Sequence, residues 1–519
     1  MEHLVELLVQ LFSQTIPAGL TVFLLSLMPV IELRGGILAA KLLDLQMLPA
    51  FFICLVGTIL PVPFILLFIN KIFDWMRNTR FVKLVDRMEA KGRSKFEKIN
   101  RYKTLGLMIF VAIPLPGTGA WTGSLAAALA ASQGGGGVVL VEGSSKPGKK
   151  LLATGNGRCN LTNRHIAPEY YHGDAALAAP LLARWPGERV VRMFHKLGLL
   201  TRTDGEGRVY PRGLQAAAVL QALWSACEAA GVEMLWNFRV ERAWVQGEGF
   251  CLAGGEGQGL FASRLVLACG GKASPKHSSG SGYELARGFG HSVTGLSPSL
   301  VGLAVPERLT RPLKGMRCKA RAALCQGGRE LGAESGEVIF GQGSLSGICV
   351  MNLSARLRGL AGDSLSLRLD LAEELEAGEL EAFLRAQCAA FPERPASGLF
   401  AGVMNLRVGQ ELVQSLGWGG RRFSQLSRED LRRAVALAKG FALPVSGPLG
   451  WDQAQVTAGG VPLGEVDVNT MESRCRKGLY LTGELLDLDG DCGGYNLHWA
   501  WATGLTAGES IGRKGGREA

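Results

Sequence analysis

The sequence predicts an α/β nucleotide-binding fold carried behind a helical membrane domain, and three observations predict it. Near the end of the chain, an apolar run at 478–482 leads into Gly483 and Glu484, then an acidic turn, then Gly493, Gly494, Tyr495 and Asn496 opening an Ala-rich helix. Residues 138–141 are an apolar strand closed by Glu142 and followed by a loop of glycines and basic residues. Residues 47–70 hold no charge and are long enough to cross about 30 Å of hydrocarbon.

From the start of the chain, 18–31 is a shorter apolar run that carries Pro29 and ends at Glu32 and Arg34, so it reads as re-entrant or broken. A signal peptide is disfavoured, because Glu2 and Glu6 stand where a basic region should. Residues 47–70 read as a span. The segment 71–103 carries Arg77, Arg80, Lys83, Arg87, Lys91, Arg93, Lys95, Lys98 and Arg101, and the positive-inside rule puts it in the cytoplasm. The net charge of +11 is thus partly a topology signal, and no nucleic-acid partner follows from it. Between 104 and 141 there is no charged residue, and Pro114 and Pro116 interrupt the middle, which suits a hairpin returning to the cytoplasmic side. The expected partner is therefore a lipid bilayer, with the α/β part facing the cytoplasm.

In the α/β part, an acidic residue closing the second strand of a dinucleotide fold accepts hydrogen bonds from a ribose, which is the role expected of Glu142. The loop after it holds Gly148, Lys149, Lys150, Thr154, Gly155, Arg158, Cys159 and Asn160, glycines and cations suited to a pyrophosphate. A further buried strand at 264–269 ends in Gly270 and Gly271. Residues 300–350 read as short strands. Residues 371–443 hold helical patterns, and Ser427 with Asp430 marks a helix start. Gly493 and Gly494 let backbone approach a ligand, and the free N–H groups of the following helix favour negative charge. The eleven cysteines form no C-x-x-C pair and share no metal spacing with the seven histidines, so no metal site is expected and a reducing compartment is.

These segments, with 207–211 (Gly-Arg-Val-Tyr-Pro), 281–286 (Ser-Gly-Tyr-Glu-Leu-Ala) and 336–340 (Gly-Glu-Val-Ile-Phe) in the same order, resemble the NAD(P)/FAD-dependent oxidoreductases of the aminoacetone oxidase type over about 125–512. That family includes flavoproteins reported as bile-acid reductases. The resemblance implies a two-dinucleotide-binding-domain flavoprotein fold with FAD, with NAD(P)H as candidate co-substrate, and a β-rich and a helical insert. The implied domains are 125–299 and 450–512 for the cofactor, with inserts at 300–355 and 356–449. It also implies that Gly483, Glu484 and Gly493 to Asn496 hold the ribityl and flavin end. No catalytic residue follows; Arg212, His277, Tyr283 and His498 are polar residues in or beside the motifs.

Residues 29–36 (Pro-Val-Ile-Glu-Leu-Arg-Gly-Gly) and 114–123 (Pro-Leu-Pro-Gly-Thr-Gly-Ala-Trp-Thr-Gly) resemble the small multidrug export family of bacterial membrane proteins over about 10–129, giving a membrane domain at 1–124. The two resemblances together imply a bacterial cytoplasmic membrane as the location and a small-molecule substrate as the further partner. The two resemblances meet at the Ala-rich run 125–131. Counted back from it, the glycine fingerprint falls on Gly119, Trp121 and Ser124, and the preceding strand on a segment with two prolines. The first strand and the G-x-G-x-x-G turn are missing, and weakened FAD binding is expected. Two function classes follow: a membrane-tethered FAD-dependent oxidoreductase, or a transport-type membrane protein carrying an inactive flavoprotein passenger.

Overall fold

The computed structural model describes residues 16–27, 39–43, 45, 49–50, 53–54, 121–133, 137–145, 148–255, 258–275, 278–360 and 364–518, the side chains of 121–123 and 514–518 excepted. The chain divides into two compact units, Met1–Pro114 and Leu115–Ala519.

In the first unit, helix α1 (Ala18–Leu27) buries Val22 and Leu25 in a cluster with Ala39, Ala40, Ala50 and Cys54. Thr21 and Ser26 turn their hydroxyls back onto the carbonyls of Pro17 and Val22, so a strongly apolar helix keeps its polar atoms satisfied internally. The expected span at 47–70 lies mostly outside the described residues, and the basic segment 71–103 and the proline hairpin at 114–119 lie wholly outside them. Among the described residues no helix is long and apolar enough to cross a membrane.

In chain order, the second unit is framed by α2 (Trp121–Ser132), β1 (Val139–Glu142), β2 (Tyr171–Gly173), α3 (Ala216–Ala229), β3 (Glu233–Trp236), β4 (Leu265–Leu267), β5 (Arg329–Gly341), β6 (Leu479–Leu481), β7 (Leu488–Gly490) and α4 (Tyr495–Glu518). β1 pairs in parallel with β3, Leu140 opposite Met234 and Glu142 opposite Trp236. β4 pairs in parallel with β6, Leu265 opposite Leu479. Continuous apolar runs are what parallel strands with both faces covered require. α2 begins at Trp121, so Trp121 and Ser124 sit in a helical first turn. It packs on α4 where Gly508 allows backbone contact: a Cβ there would lie 2.4 Å from the Ala127 carbonyl oxygen. α3 closes the other side, with the Cys227 thiol 3.7 Å from the Leu125 carbonyl.

The two inserts are a single body. A seven-stranded sheet runs in the order 441–444, 365–370, 317–326, 329–341, 344–346, 303–304, 447–448. Three of these strands come from 356–449, the segment expected to be helical. Leu365, Leu367 and Leu369 are buried while Arg368 is exposed, a period of two that overrides the helical character of the flanking sequence. The helices Ala377–Ala390, Leu406–Ser415 and Arg428–Lys439 pack on that sheet through one shared core that includes Leu367, Leu384, Leu412 and Leu431. Ser427 and Asp430 form a reciprocal capping box, and Glu376 and Glu379 form another.

Candidate functional site

β1 delivers Glu142 to its C-terminal end, where the carboxylate is buried and accepts the Ser144 N–H at 2.7 Å. β1 and β4 line a common cavity of about 710 Å3, floored by Ala127, Ala128 and Ala131 of α2 and closed by Cys269, Ser279 and Ser281. Among the described residues β1 pairs only with β3, and β4 only with β6. Burial, reinforced by the Glu142 charge, pushes the Cys269 thiol up to about 11 and leaves it inert at neutral pH.

The loop after β1 is held by backbone geometry. Gly148 has φ of 69° and packs so closely on α3 that a Cβ would sit 2.7 Å from the Leu220 side chain. Gly155, Asn156 and Cys159 are also left-handed, with φ of 55°, 54° and 58°. The Thr154 hydroxyl donates to the Leu151 carbonyl. Cys159 is fully buried and its thiol is pushed up to about 12 by desolvation. Asn160 presents a buried Oδ1 without a hydrogen-bond partner among the described residues. Lys149 and Arg158 flank this turn.

Lys150 and Glu484, assigned from sequence to opposite ends of the site, meet. Lys150 Nζ donates to Glu484 Oε2 at 2.5 Å, both largely buried, and Glu484 Oε1 accepts the Thr457 N–H at 2.9 Å. The Lys150 charge is therefore spent on a carboxylate. Glu484 contributes a structural junction rather than an open acceptor, because both its oxygens are taken. Gly271 has no room for a side chain: a Cβ would sit 2.3 Å from Glu484 Oε1 and 2.4 Å from Thr457 Oγ1. Gly270 and Gly483 are left-handed, φ 71° and 66°, and the Gly483 N–H donates to Thr503 Oγ1 at 2.9 Å.

At the start of α4, Gly493 and Gly494 have φ of 139° and 100°. A Cβ on Gly494 would lie 2.6 Å from the Thr162 carbonyl and 2.7 Å from Asn160 Oδ1, so this turn and the 154–163 loop form one cradle. Asn163 Nδ2 donates to the Gly493 carbonyl at 3.0 Å. Asn496 exchanges two hydrogen bonds with the backbone of Gly490, fixing the turn. Tyr495 stacks on Tyr170 with ring centroids 4.8 Å apart, and its carbonyl accepts from the Tyr171 hydroxyl. An acceptor carboxylate at a strand end, two glycine cradles and unpartnered buried oxygens on Asn160 and Thr482 fit a dinucleotide with a polar ring at its far end.

Of the other residues singled out from sequence, Tyr283 is buried and donates to the Glu484 carbonyl. His498 is buried against Thr162 Oγ1 at 2.8 Å, and desolvation lowers its pKa to about 4. Arg212 is exposed in a turn. His277 lies outside the described residues. Cys492 is half-buried, and desolvation pushes its thiol up to about 12.

Sequence reasoning missed the polar cluster beside the second cradle. β2 pairs antiparallel with β7, setting His172 opposite Asp489. His172 Nε2 meets Asp491 Oδ1 at 2.8 Å. Asp489 is buried, takes a hydrogen bond from Ser299 at 2.7 Å, and is raised to about 6 by desolvation. Asp487 pairs with Arg358 at 2.5 Å. The signal was the alternation Asp487, Asp489, Asp491, which sends three carboxylates the same way from an extended segment. One further set, His291, Glu465 and Cys475, brings three ligand-type atoms within 4.8 Å. Both His291 nitrogens are already engaged, by Glu465 at 2.8 Å and Ser473 at 2.7 Å.

Residues 115–510 match the HI0933-like protein Rossmann domain, and residues 32–135 match the putative small multi-drug export protein family. The two overlap over 115–135, which contains α2. The chain is 38% identical to the 3-dehydro-bile acid delta(4,6)-reductase of Clostridium scindens, over 75% of this chain and 96% of that protein. It is 29% identical to the ribosomal RNA dihydrouridine synthase of Escherichia coli, over 73% and 93%. Among solved structures, the 3-ketosteroid-delta4-(5alpha)-dehydrogenase of Rhodococcus jostii RHA1 aligns at 14% identity and a TM-score of 0.41, over 76% and 95%. None of these names the aminoacetone oxidase subtype. A match over residues 115–510, with a relative at this identity over three quarters of the chain, means that the chain belongs to the HI0933-like family of FAD-dependent Rossmann oxidoreductases.

Proposed function

We propose that this chain saturates a carbon–carbon double bond conjugated to a carbonyl in a small organic substrate, drawing electrons from NAD(P)H through FAD, and that its front segment tethers it to the cytoplasmic face of a bacterial membrane. The observation that supports this most is the pair of glycine cradles converging on unpartnered buried oxygens, ahead of a His–carboxylate cluster. Glu142 accepts from the adenosine ribose, the backbone of Gly148 to Asn160 and of Gly270 and Gly271 lines the phosphates, and Gly483 and Gly493 to Asn496 hold the ring end. Glu484 and Lys150 hold the two halves together. The names of the two curated relatives describe one kind of chemistry, adding two hydrogens across a double bond. The relative of higher identity acts on a bile acid, which favours a small apolar substrate.

The test is purification of the full chain in detergent, titration with FAD, and an assay of NAD(P)H consumption with a 3-oxo-Δ4,6 bile acid. A yellow protein that consumes NAD(P)H with that substrate supports the reading. A protein that stays colourless at saturating FAD favours the passenger alternative. A second reading, reduction of uridine in ribosomal RNA, is favoured by the Escherichia coli relative. A uridine-containing ribosomal RNA fragment in the same assay separates the two.

A further inference from the structure

The cluster beside the second cradle joins the flavoprotein body to the insert. From the flavoprotein side come His172 on β2, opposite Asp489 on β7, and Asp491 just beyond β7. Asp491 is anchored by its own N–H to the Tyr170 carbonyl at 2.9 Å and stands two residues before Gly493. From the insert come Glu334 on β5, and Asn352 and Arg356 from the helical turns after 348. The Arg356 guanidinium lies across Gly332, where a Cβ would be 2.6 Å from Nε, on the same face of β5 as Glu334. Asn352 Oδ1 accepts the Cys492 N–H at 2.9 Å, bolting the insert to the turn.

We infer that His172 is the proton donor of the reduction, with Asp491 as its positioning residue. The inference rests on the reductase reading above. Asp491 holds Nε2–H, which fixes the ring plane and stabilises the imidazolium; Nδ1 makes no hydrogen bond among the described residues and is the atom left for transfer. Saturating the double bond needs one hydride and one proton. The hydride, at the carbon remote from the carbonyl, is the chemistry that FAD supplies when bound, with NAD(P)H as the ultimate reductant. The proton goes to the carbon next to the carbonyl: the Nδ1–H bond breaks, the enolate electron pair forms the new C–H bond, and Nδ1 recovers a proton from water.

The surroundings suit a donor. Burial alone would lower the His172 pKa, but the Asp491 hydrogen bond and the charges of Asp491 and Asp489 outweigh both that and the opposing Arg356 charge, leaving it raised. Glu334 faces the same space, its pKa raised by burial and then by Asp491. The unpartnered, buried Asp489 Oδ1 lies in the same cluster. His291, by contrast, has both ring nitrogens engaged, and His498 is buried with its ring away from any carboxylate partner among the described residues.

The test has two arms on the full chain. In the first, the His172 ring proton is followed by NMR against pH without added FAD or substrate. The wild type should titrate above the ordinary histidine value of about 6.5, and Asp491→Asn should bring it down. A His172 that titrates at or below that value, or ignores Asp491→Asn, overturns the proposal. In the second, His172→Gln should lower kcat roughly 100- to 10,000-fold on a 3-oxo-Δ4,6 bile acid with KM little changed. Added imidazole should restore part of the rate to His172→Ala. Asp491→Asn should fall less and shift the pH profile towards acid. An active wild type with an unaffected His172→Gln overturns this proposal alone. A wild type inert towards both the bile acid and the uridine probe overturns the reductase reading, and this proposal with it. Should His172→Gln fail to fold by circular dichroism, His172→Asn and the NMR arm carry the test.

Discussion

Gly508→Ala should destabilise the second unit, against the ordinary effect of this substitution. In an unconstrained helix, alanine for glycine gains about 0.8–1.0 kcal/mol. At Gly508 the new methyl meets the Ala127 carbonyl oxygen at 2.4 Å, the Ala130 Cβ at 2.6 Å and the Ala131 nitrogen at 3.0 Å. Two of these are backbone atoms, which no rotamer change can move. α2 and α4 must part by roughly 1 Å to reach normal contact. Overpacking of this kind costs about 1–3 kcal/mol, so the net loss should be about 1 kcal/mol for alanine. For Gly508→Val, bulkier and a poorer helix former, it should approach 3 kcal/mol. Urea unfolding followed by the fluorescence of Trp499 and Trp501, both buried in α4, reads the change. A higher midpoint for Gly508→Ala would refute the reasoning. It would mean that α2, which both family matches claim, does not pack on the flavoprotein body.

Three further outcomes are expected. Glu142→Ala should weaken FAD binding roughly ten- to a hundredfold, the loss of one charge-assisted hydrogen bond, by fluorescence titration; an unchanged affinity would exclude Glu142 as the ribose acceptor. Lys150→Met should lower stability by about 3–5 kcal/mol by leaving the Glu484 carboxylate unpaired at 17% exposure, and adding Glu484→Gln should recover most of the loss in denaturant melts. His498 and Asp489 should drive stability in opposite directions over the same pH range. Burial holds His498 neutral, with a folded pKa of about 4, so the unfolded chain binds the extra proton and stability falls by about 3 kcal/mol from pH 6.5 to 4. Burial raises Asp489 to about 6, so the folded chain holds that proton and stability falls by about 3 kcal/mol as pH rises from 4 to 6. Asp489→Asn should therefore make the protein more acid-labile, and His498→Gln should make it less so; parallel curves for the two variants would contradict the assignment.

What could be read from the sequence was local. Glu142 at a strand end, the left-handed turn around Gly155, and the Gly493–Gly494 opening of α4 follow from residue types whose backbone preferences are strong. The capping pair at Ser427 and Asp430 was legible for the same reason. What could not be read was pairing across long separations. Lys150 and Glu484 lie 334 residues apart, and as separate motifs they look like a phosphate cation and a flavin contact. Together they cancel. The strand 365–370 alternates plainly, yet it belongs to a sheet whose other members range from 303–304 to 447–448, so its surroundings argued for helix. His172 carries no signal of its own. It becomes a candidate only when the β2–β7 register sets it beside three alternating carboxylates.

A chain whose glycine fingerprint is broken in sequence can keep its fold and still lose on its ligand. One main core spreads from Leu125 through Leu140 of β1, Leu161, Phe194 and Leu265 of β4 to Trp501, and the other fills the insert around Leu367 and Phe400. Val139, at 37% exposure, marks the edge that faces the cavity. The pyrophosphate is different. Its charge would be met by N–H groups of a glycine turn ahead of α2, each such bond contributing about 1.5–3 kcal/mol. Counted back from the Ala-rich run, that turn falls on Gly119, Trp121 and Ser124, and the last two of these lie in the first turn of α2. Lys150, one of the cations in the loop after β1, is held by Glu484. The Gly493–Gly494 cradle and the His172–Asp491 pair are in place. On the proposed assignment we therefore expect the deficit to fall on cofactor affinity at the phosphate end.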